Sequence, residues 1–336
     1  MPELFGAIYA RGPVAETVDD EAWLQAMLDV EAALGGERID AREIDLAELE
    51  RETGDHASPV VALARRFPDT HEGATSQDIL DTAMMLLAGR ALEPLLADAR
   101  GAADAAAELA RTHRDTPVMG RTLLQDALPT SFGLRAAGWM VAIDEAVDAL
   151  AAAPLAVQMG GPVGHRDPAV AASVARELSL ADPLLPWHTD RVRPAQLSAA
   201  LAGLAGVLGK VARDVTLMPE VSEGVEGRGG SSAMAHKRNP VAAVSVLACA
   251  RRTPGLLATM FAAMEQALER AAGAWQAEWG TLTELLRLTG SASAWARDML
   301  EHLEVDAEAM RAGAGANPDL GASGQLIDRA LEAHAR

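Results

Sequence analysis

Between Gly229 and Pro240 the chain reads GGSSAMAHKRNP, where chemistry-bearing residue types crowd together. Two glycines loosen the backbone, Ser231 and Ser232 supply hydroxyls, and His236, Lys237 and Arg238 supply positive charge. Asn239 then precedes Pro240, a sound start for a helix: proline at the first position forfeits no hydrogen bond, and asparagine can cap the free amides. A helix N-terminus carries unpaired N–H groups and a partial positive charge, so this segment suits a carboxylate or a developing negative charge. An ordinary basic loop between two helices has the same composition, and residue types alone leave both readings open.

Four further segments hold candidate polar groups. His71 to Asp81, HEGATSQDILD, sets His71 and the hydroxyls of Thr75 and Ser76 ahead of an apolar run. Thr-Ser-x-Asp is also a plain helix start, with Asp78 placed to cap or brace the helix. Gly120 to Pro129, GRTLLQDALP, offers Arg121, Thr122 and Gln125. Gln158 to Gly164 reads QMGGPVG, and Pro186 to Arg193 reads PWHTDRVR, where surface salt bridging is the expected role of His188, Arg191 and Arg193.

The elements that must position these residues are helices. Aromatic content of 3% with abundant Ala and Leu, and few alternating β-branched runs, predicts an all-α fold. Leu197, Leu201, Leu204, Leu208, Val211, Val215 and Met218 alternate spacings of four and three, which is a bundle seam. A second seam runs through Trp279, Leu282, Leu286, Thr289, Ser293, Ala296, Leu300 and Leu303, and its small members predict close helix approach, including approach between subunits. Further long helices are expected from about Leu92 to His113, Pro129 to Ala153 and Pro240 to Ala271, the last kinked or broken at Pro254. That makes five long helices with apolar residues on more than one face, which one bundle cannot bury alone.

Bulk properties exclude several classes. With 336 residues and 49% hydrophobic content the chain can bury a large core. Lys and Arg total 29 against 48 Asp and Glu, and the net charge of −19 repels phosphate backbones and anionic lipid, so neither nucleic acid nor membrane is an expected partner. An acidic start and the lack of about 18 continuous apolar residues predict a soluble, cytoplasmic protein. The one cysteine, Cys249, reads as a small buried apolar residue. No P-loop, dinucleotide fingerprint, HExxH or zinc spacing is present, so no metal or other cofactor is expected.

The segment at Gly229 resembles the GSSxMPxKxNP signature of the fumarase/aspartase superfamily. His71 to Asp81 resembles the HxGxTSxD segment of its adenylosuccinate lyase and carboxymuconate cycloisomerase branches, and Gly120 to Pro129 resembles GRTHxQxAxP. QMGGPVG, PWHTDRVR and the Gln266 to Trp279 segment QALERAAGAWQAEW resemble cycloisomerase segments, and the resemblance extends from about Phe5 to Ile327. It implies that Ser231 is the base that removes a proton next to a carboxylate. Lys237 and Asn239 would bind that carboxylate and stabilise the aci-carboxylate intermediate. His71 would bind or transfer protons, and Thr75, Ser76, Arg121, Thr122, Gln125, Gln158, Ser232 and Arg238 would bind substrate.

The departures are as informative. Leu123 stands where most lyases of the superfamily have a histidine that assists the leaving group, which points to the 3-carboxy-cis,cis-muconate cycloisomerases and lactone chemistry on a small polycarboxylate. Ala235 replaces a proline, implying a looser loop, and Ala267 and Leu268 replace a Glu-His pair. The resemblance further implies a small N-terminal domain over 1–91, a central long-helix bundle over 92–304 and a remnant of a third domain over 305–336. It implies a homotetramer with a twenty-helix core and active sites shared between three subunits. Two alternatives stay open: another lyase of the superfamily acting on a related di- or tricarboxylate, adenylosuccinate-lyase-like or a sulfo-analogue, and a catalytically silent helical scaffold.

Overall fold

In the computed structural model, residues 3–66, 71, 73–234 and 236–336 are described. Six short elements come first: α1 (Glu3–Tyr9), α2 (Val14–Thr17), α3 (Asp20–Ala33), a 3-10 turn (Ala41–Glu43), α4 (Leu46–His56) and α5 (Pro59–Arg66) lead into α6 (Ser76–Thr112). The chain continues through a hairpin, β1 (Pro117–Thr122) and β2 (Gln125–Ser131), to α7 (Phe132–Ala151), α8 (Pro168–Leu178) and α9 (Val192–Leu217). After β3 (Val221–Glu223) come α10 (Val241–Ala262), α11 (Ala274–Glu301), β4 (Leu303–Val305), α12 (Ala307–Ala314) and α13 (Ser323–His334). The fold is all-α: among the described residues, apart from an isolated bridge, the strands form two two-stranded antiparallel ribbons, β1 with β2 and β3 with β4.

The five long helices α6, α7, α9, α10 and α11 run up, down, up, down and up. Their lower end carries the start of α6, the 152–191 connection and the turn between α10 and α11. Their upper end carries the β1–β2 hairpin, the 218–240 connection and α12. All seven positions of the α9 seam are buried. The second seam is buried from Leu282 onwards; its Thr289 Oγ1 donates to Leu201 O of α9 at 3.3 Å, and Gly290, beside the seam, lies against Val14.

Helix boundaries depart from expectation for local reasons. The helix expected from Leu92 begins at Ser76, where Thr75 N–H donates to Asp78 Oδ2 at 3.2 Å, and it runs unbroken through Leu92 and Pro94. Pro129 is a strand residue facing Met119, and the helix after it starts at Phe132, capped by Ser131 Oγ accepting from Leu134 N–H at 3.3 Å. The helix from Val241 passes through Pro254 without a break and stops at Ala262, short of Ala271. Cys249 is buried, as expected, and burial pushes its thiol up to about 11. Two helices, Val192–Leu217 and Val241–Ala262, are long and apolar enough to cross a membrane by length and composition alone, although no run of 18 apolar residues is continuous. Both pack into the bundle, α9 against α7, α10 and α11, and α10 between α9 and α11.

One buried ion cluster joins three of the long helices near their lower end. Arg191, at the threshold of α9 and 2% exposed, donates to both oxygens of Asp81 on α6 (2.7 and 3.0 Å) and to Glu278 on α11 (3.0 Å). Trp275 Nε1 also donates to Asp81 at 2.9 Å, and Gln266 Nε2 to Glu278 at 3.0 Å. The expected surface role of Arg191 is thereby corrected: it is an internal tie.

Removing one member of such a cluster strands buried charge, so Arg191→Ala is expected to lower the unfolding free energy by about 3–5 kcal/mol in guanidinium titration. A loss under 1 kcal/mol would contradict this role. Burial pushes the Glu278 carboxyl from 4.5 up to about 6, against the pull of Arg191. The folded chain therefore holds a proton there more readily than the unfolded chain, and that stabilisation is complete below about pH 4.5 and lost as pH rises through 6. Relative to Glu278→Gln at equal concentration, wild type is expected to lose about 1 kcal/mol between pH 5 and pH 7; parallel stability profiles would refute it.

Candidate active site

At the upper end the 218–240 connection leaves α9, pairs briefly with β4 and loops back to α10. Gly229 has φ +81°, and a Cβ there would lie 2.3 Å from Asn239 O, so only glycine fits. Its carbonyl accepts from Asn239 N–H at 2.8 Å and from Asn239 Nδ2 at 3.1 Å, closing the loop at its neck. Beyond the neck, Ser231 Oγ accepts from the backbone N–H groups of Ala233 and Met234, each at 3.2 Å. Two amides aimed at one hydroxyl oxygen favour its negatively charged form, which a serine base requires. Ser232, Lys237 and Arg238 are exposed on the same loop, and among the described residues no carboxylate pairs with Lys237 or Arg238. Ala235 lies outside the described residues.

Two expectations for this loop change. The side chain of Asn239 does not cap α10; it holds the neck, leaving one N–H and its carbonyl oxygen for a ligand. The first amides of α10 are not open to a substrate carboxylate either, because Glu223 accepts from Ala242 N–H at 3.1 Å and Ala243 N–H at 3.0 Å. A small cavity of about 190 Å³ beside this cap is lined by residues including Met218, Glu223, Arg228, Arg238 and Asn239.

The hairpin stands next to this loop. Arg121 donates to Leu217 O at the end of α9 (3.1 Å) and to Glu220 Oε1 (3.3 Å), with Asp126 Oδ1 at 3.4 Å. Thr122 and Gln125 pair across a two-residue turn whose central residues, Leu123 and Leu124, both have positive φ, +50° and +64°. Such turns favour Asn and Gly, so two leucines there cost conformational energy. Leu123 is 97% exposed, and Leu124 and Leu128 are exposed with it.

The remaining candidates are at the lower end. Asp78, fully buried, accepts from Gln158 Nε2 (3.0 Å), Gly160 N–H (2.9 Å), Gly161 N–H (2.8 Å) and Thr75 N–H (3.2 Å), so it binds the glycine loop to the start of α6. This is the brace anticipated for Asp78. Thr75 and Ser76 are half-buried there, and His71 Nδ1 lies 2.8 Å from Glu31 Oε1. Gln158 belongs to the scaffold: it is 0% exposed, and its Oε1 accepts from Trp187 N–H at 2.6 Å. His188, expected at the surface, is 6% exposed with Nε2 3.4 Å from Asp78 Oδ1, whereas Arg193 is half-buried.

The structure thus gathers Ser231, Ser232, Lys237, Arg238, Asn239, Arg121, Thr122 and Gln125 at one end and His71, Thr75, Ser76 and Gln158 at the other. The 26 residues of α9 between them rise about 39 Å, at ~1.5 Å per residue, so one chain cannot close both groups around one small molecule. Two contributions had no sequence signal: the Ala233 and Met234 amides, because backbone direction is not written in residue type, and Glu223, which belongs to no recognised motif. Among the described residues no three His, Cys, Asp or Glu side chains are grouped as a metal site.

Comparison with known proteins places this architecture. The model of a family described as Lyase matches residues 57–255. The chain is 43% identical to 3-carboxy-cis,cis-muconate cycloisomerase of Bradyrhizobium diazoefficiens, over 93% of this chain and 79% of the relative. It is 40% identical to nitrosuccinate lyase of Streptomyces davaonensis, over 98% and 79% respectively. The crystal structure of 3-carboxy-cis,cis-muconate lactonizing enzyme from Pseudomonas putida superposes with a TM-score of 0.85 at 36% identity, covering 93% of this chain and 80% of that one. With a family match over more than half its length and relatives this close across nearly all of it, the chain belongs to the lyase family of the fumarase/aspartase superfamily and is an enzyme of that superfamily.

Proposed function

We propose that the protein interconverts 3-carboxy-cis,cis-muconate and a carboxymuconolactone, with Ser231 moving the proton. The observation that carries this reading is the Ser231 oxygen held by two amides on a loop that also presents Lys237 with no carboxylate partner among the described residues. In lactone closure a substrate carboxylate oxygen adds to one carbon of a double bond, and the π electrons move to the neighbouring carbon and its carboxylate. The Ser231 hydroxyl then delivers its proton to that carbon. In the reverse direction the Ser231 alkoxide removes the proton and the ring oxygen leaves as a carboxylate. The amides of Ala233 and Met234, with Lys237, stabilise the alkoxide; Lys237, Arg238, Asn239 and Arg121 hold a substrate of several negative charges. A carboxylate departs without needing a proton, so Leu123 is chemically acceptable where a histidine would serve a poorer leaving group.

The active protein in this reading is a cytoplasmic homotetramer whose sites take Ser231 from one subunit, Thr75 and Ser76 from another and the hairpin from a third. Support comes from the separation of the two groups along α9, the leucines exposed at the hairpin tip, and apolar Val244 and Phe261 left half-exposed on α10.

A second reading has its own support, the 40% identity to a nitrosuccinate lyase. A nitro-substituted succinate makes the same two demands, a proton α to a carboxylate and a group that leaves as a stable anion. Leu123 suits both.

Ultraviolet assay with 3-carboxy-cis,cis-muconate is expected to show loss of the diene absorbance with wild type and a rate lower by about 10²–10⁴-fold with Ser231→Ala. Inactivity of the folded oligomer on this acid, with turnover of nitrosuccinate, would favour the second reading. Subunit sharing has a separate test: Ser231→Ala and Thr75→Ala/Ser76→Ala proteins, each inactive, are dissociated, mixed equally and reassembled. Random mixing should restore activity at about one quarter of the sites. No recovery on reassembly would mean that each site is built otherwise.

A further inference from the structure

α10 is capped from a distance. Pro240 occupies its N-cap position and has no side chain able to bond the free amides, while Asn239 is committed to the loop neck. The carboxylate that accepts from Ala242 and Ala243 belongs to Glu223, on β3 at the far side of the signature loop, and it is 5% exposed. Arg228, at the loop entrance, lies 3.3 Å from the same carboxylate and also pairs with Asp298 of α11. Asp298 in turn accepts from Arg11 Nη2 at 2.9 Å, and the Arg11 and Arg228 guanidinium groups lie 4.0 and 5.8 Å from the Trp295 ring centroid. β3 itself is pinned by its pairing with β4.

A local cap would satisfy the two amides equally well and leave the loop ends independent of each other. A cap reaching across the loop ties its entrance, its exit and the end of α11 into one unit. We propose that Glu223 is a positioning residue: by joining the start of α10 to Arg228 and β3, it sets where Ser231 and Lys237 stand. Its catalytic consequence rests on the proton-transfer reading of Ser231, whereas its mechanical consequence does not. Glu223 touches no reacting atom; it acts through the loop it closes.

The test compares full-length wild type, Glu223→Ala and Glu223→Gln as assembled oligomers by amide hydrogen exchange, thermal unfolding and steady-state kinetics. Glu223→Ala is expected to speed exchange at Ala233, Met234, Ala242 and Ala243 on the order of tenfold, as loss of a charged cap should. It should lower kcat by about tenfold while KM changes less than about threefold, because binding groups remain and the proton-transfer geometry is lost. Glu223→Gln, which keeps one acceptor oxygen and the side-chain shape, should recover part of both, and it guards against an Ala variant that fails to fold. Unchanged exchange at Ala233 and Met234 in the Ala variant would overturn the clamp whatever the substrate. So would a loosened loop with wild-type kcat, or a fall in kcat matched by loss of folded protein and not rescued by Gln. Should wild type turn over neither candidate acid, the functional reading fails and the exchange measurement alone decides the clamp.

Discussion

The pairing of Arg191 with Asp81 and Glu278 is the interaction on which the other arrangements depend. A guanidinium between two carboxylates in a nearly dry interior is tolerated only when its donors are matched, and here the cluster spans the beginnings of α6, α9 and α11. Apolar seams alone admit sliding by a helical turn, since one leucine replaces another at little cost. A three-way ion cluster does not, because a shift of one turn would leave buried charges unmatched. The same cluster reaches the lower group of candidates directly: Gln77, next to Ser76, donates to Asp81 at 2.9 Å and to the carbonyl of His188 at 2.6 Å. Register of the bundle and placement of the Thr75–Ser76 hydroxyls are therefore one constraint.

Rigid long helices create a problem that the proposed oligomer would solve. Once α9 spans about 39 Å, Ser231 and the Thr75–Ser76 pair cannot meet in one chain. The compensation is visible on the surface: a hairpin tip of leucines in an unfavourable backbone conformation gains nothing in an isolated chain, where Leu123 is almost wholly in water. Burial of that tip against another copy would offset the strain, at roughly 25 cal/mol per Å² of apolar surface covered.

What was legible in the sequence divides along physical lines. The α9 seam and the brace at Asp78 could be read because periodicity and short-range capping are local properties of the chain. Pro129 misled because proline at a helix start and proline on a strand edge carry the same residue signal; Ser131, two residues on, made the cap. For Arg191 and His188 charge suggests solvent, but their partners lie on helices about a hundred residues away. The cap on α10 follows the same pattern: Asn239 is adjacent and Glu223 is not, yet the folded chain brings Glu223 to the amides.

That last substitution bears on how a strongly acidic chain can bind an acidic substrate. With a net charge of −19 the protein as a whole repels polycarboxylates, so the attraction has to be local. Had a substrate carboxylate been held by the α10 amides, the helix dipole would have supplied it. Glu223 already fills that position, its charge faced by Arg228. The field at the loop surface is thus left to Lys237 and Arg238, exposed and without carboxylate partners among the described residues, and to the two amides at Ser231. A carboxylate from within the chain at the helix end separates two jobs: the N-terminus of α10 anchors the loop, and the loop's own cations and amides are left free to meet the substrate of the proposed reaction. A site built that way gains its positive character only where the loop is held in place, which is why its anchoring and its electrostatics cannot be considered apart.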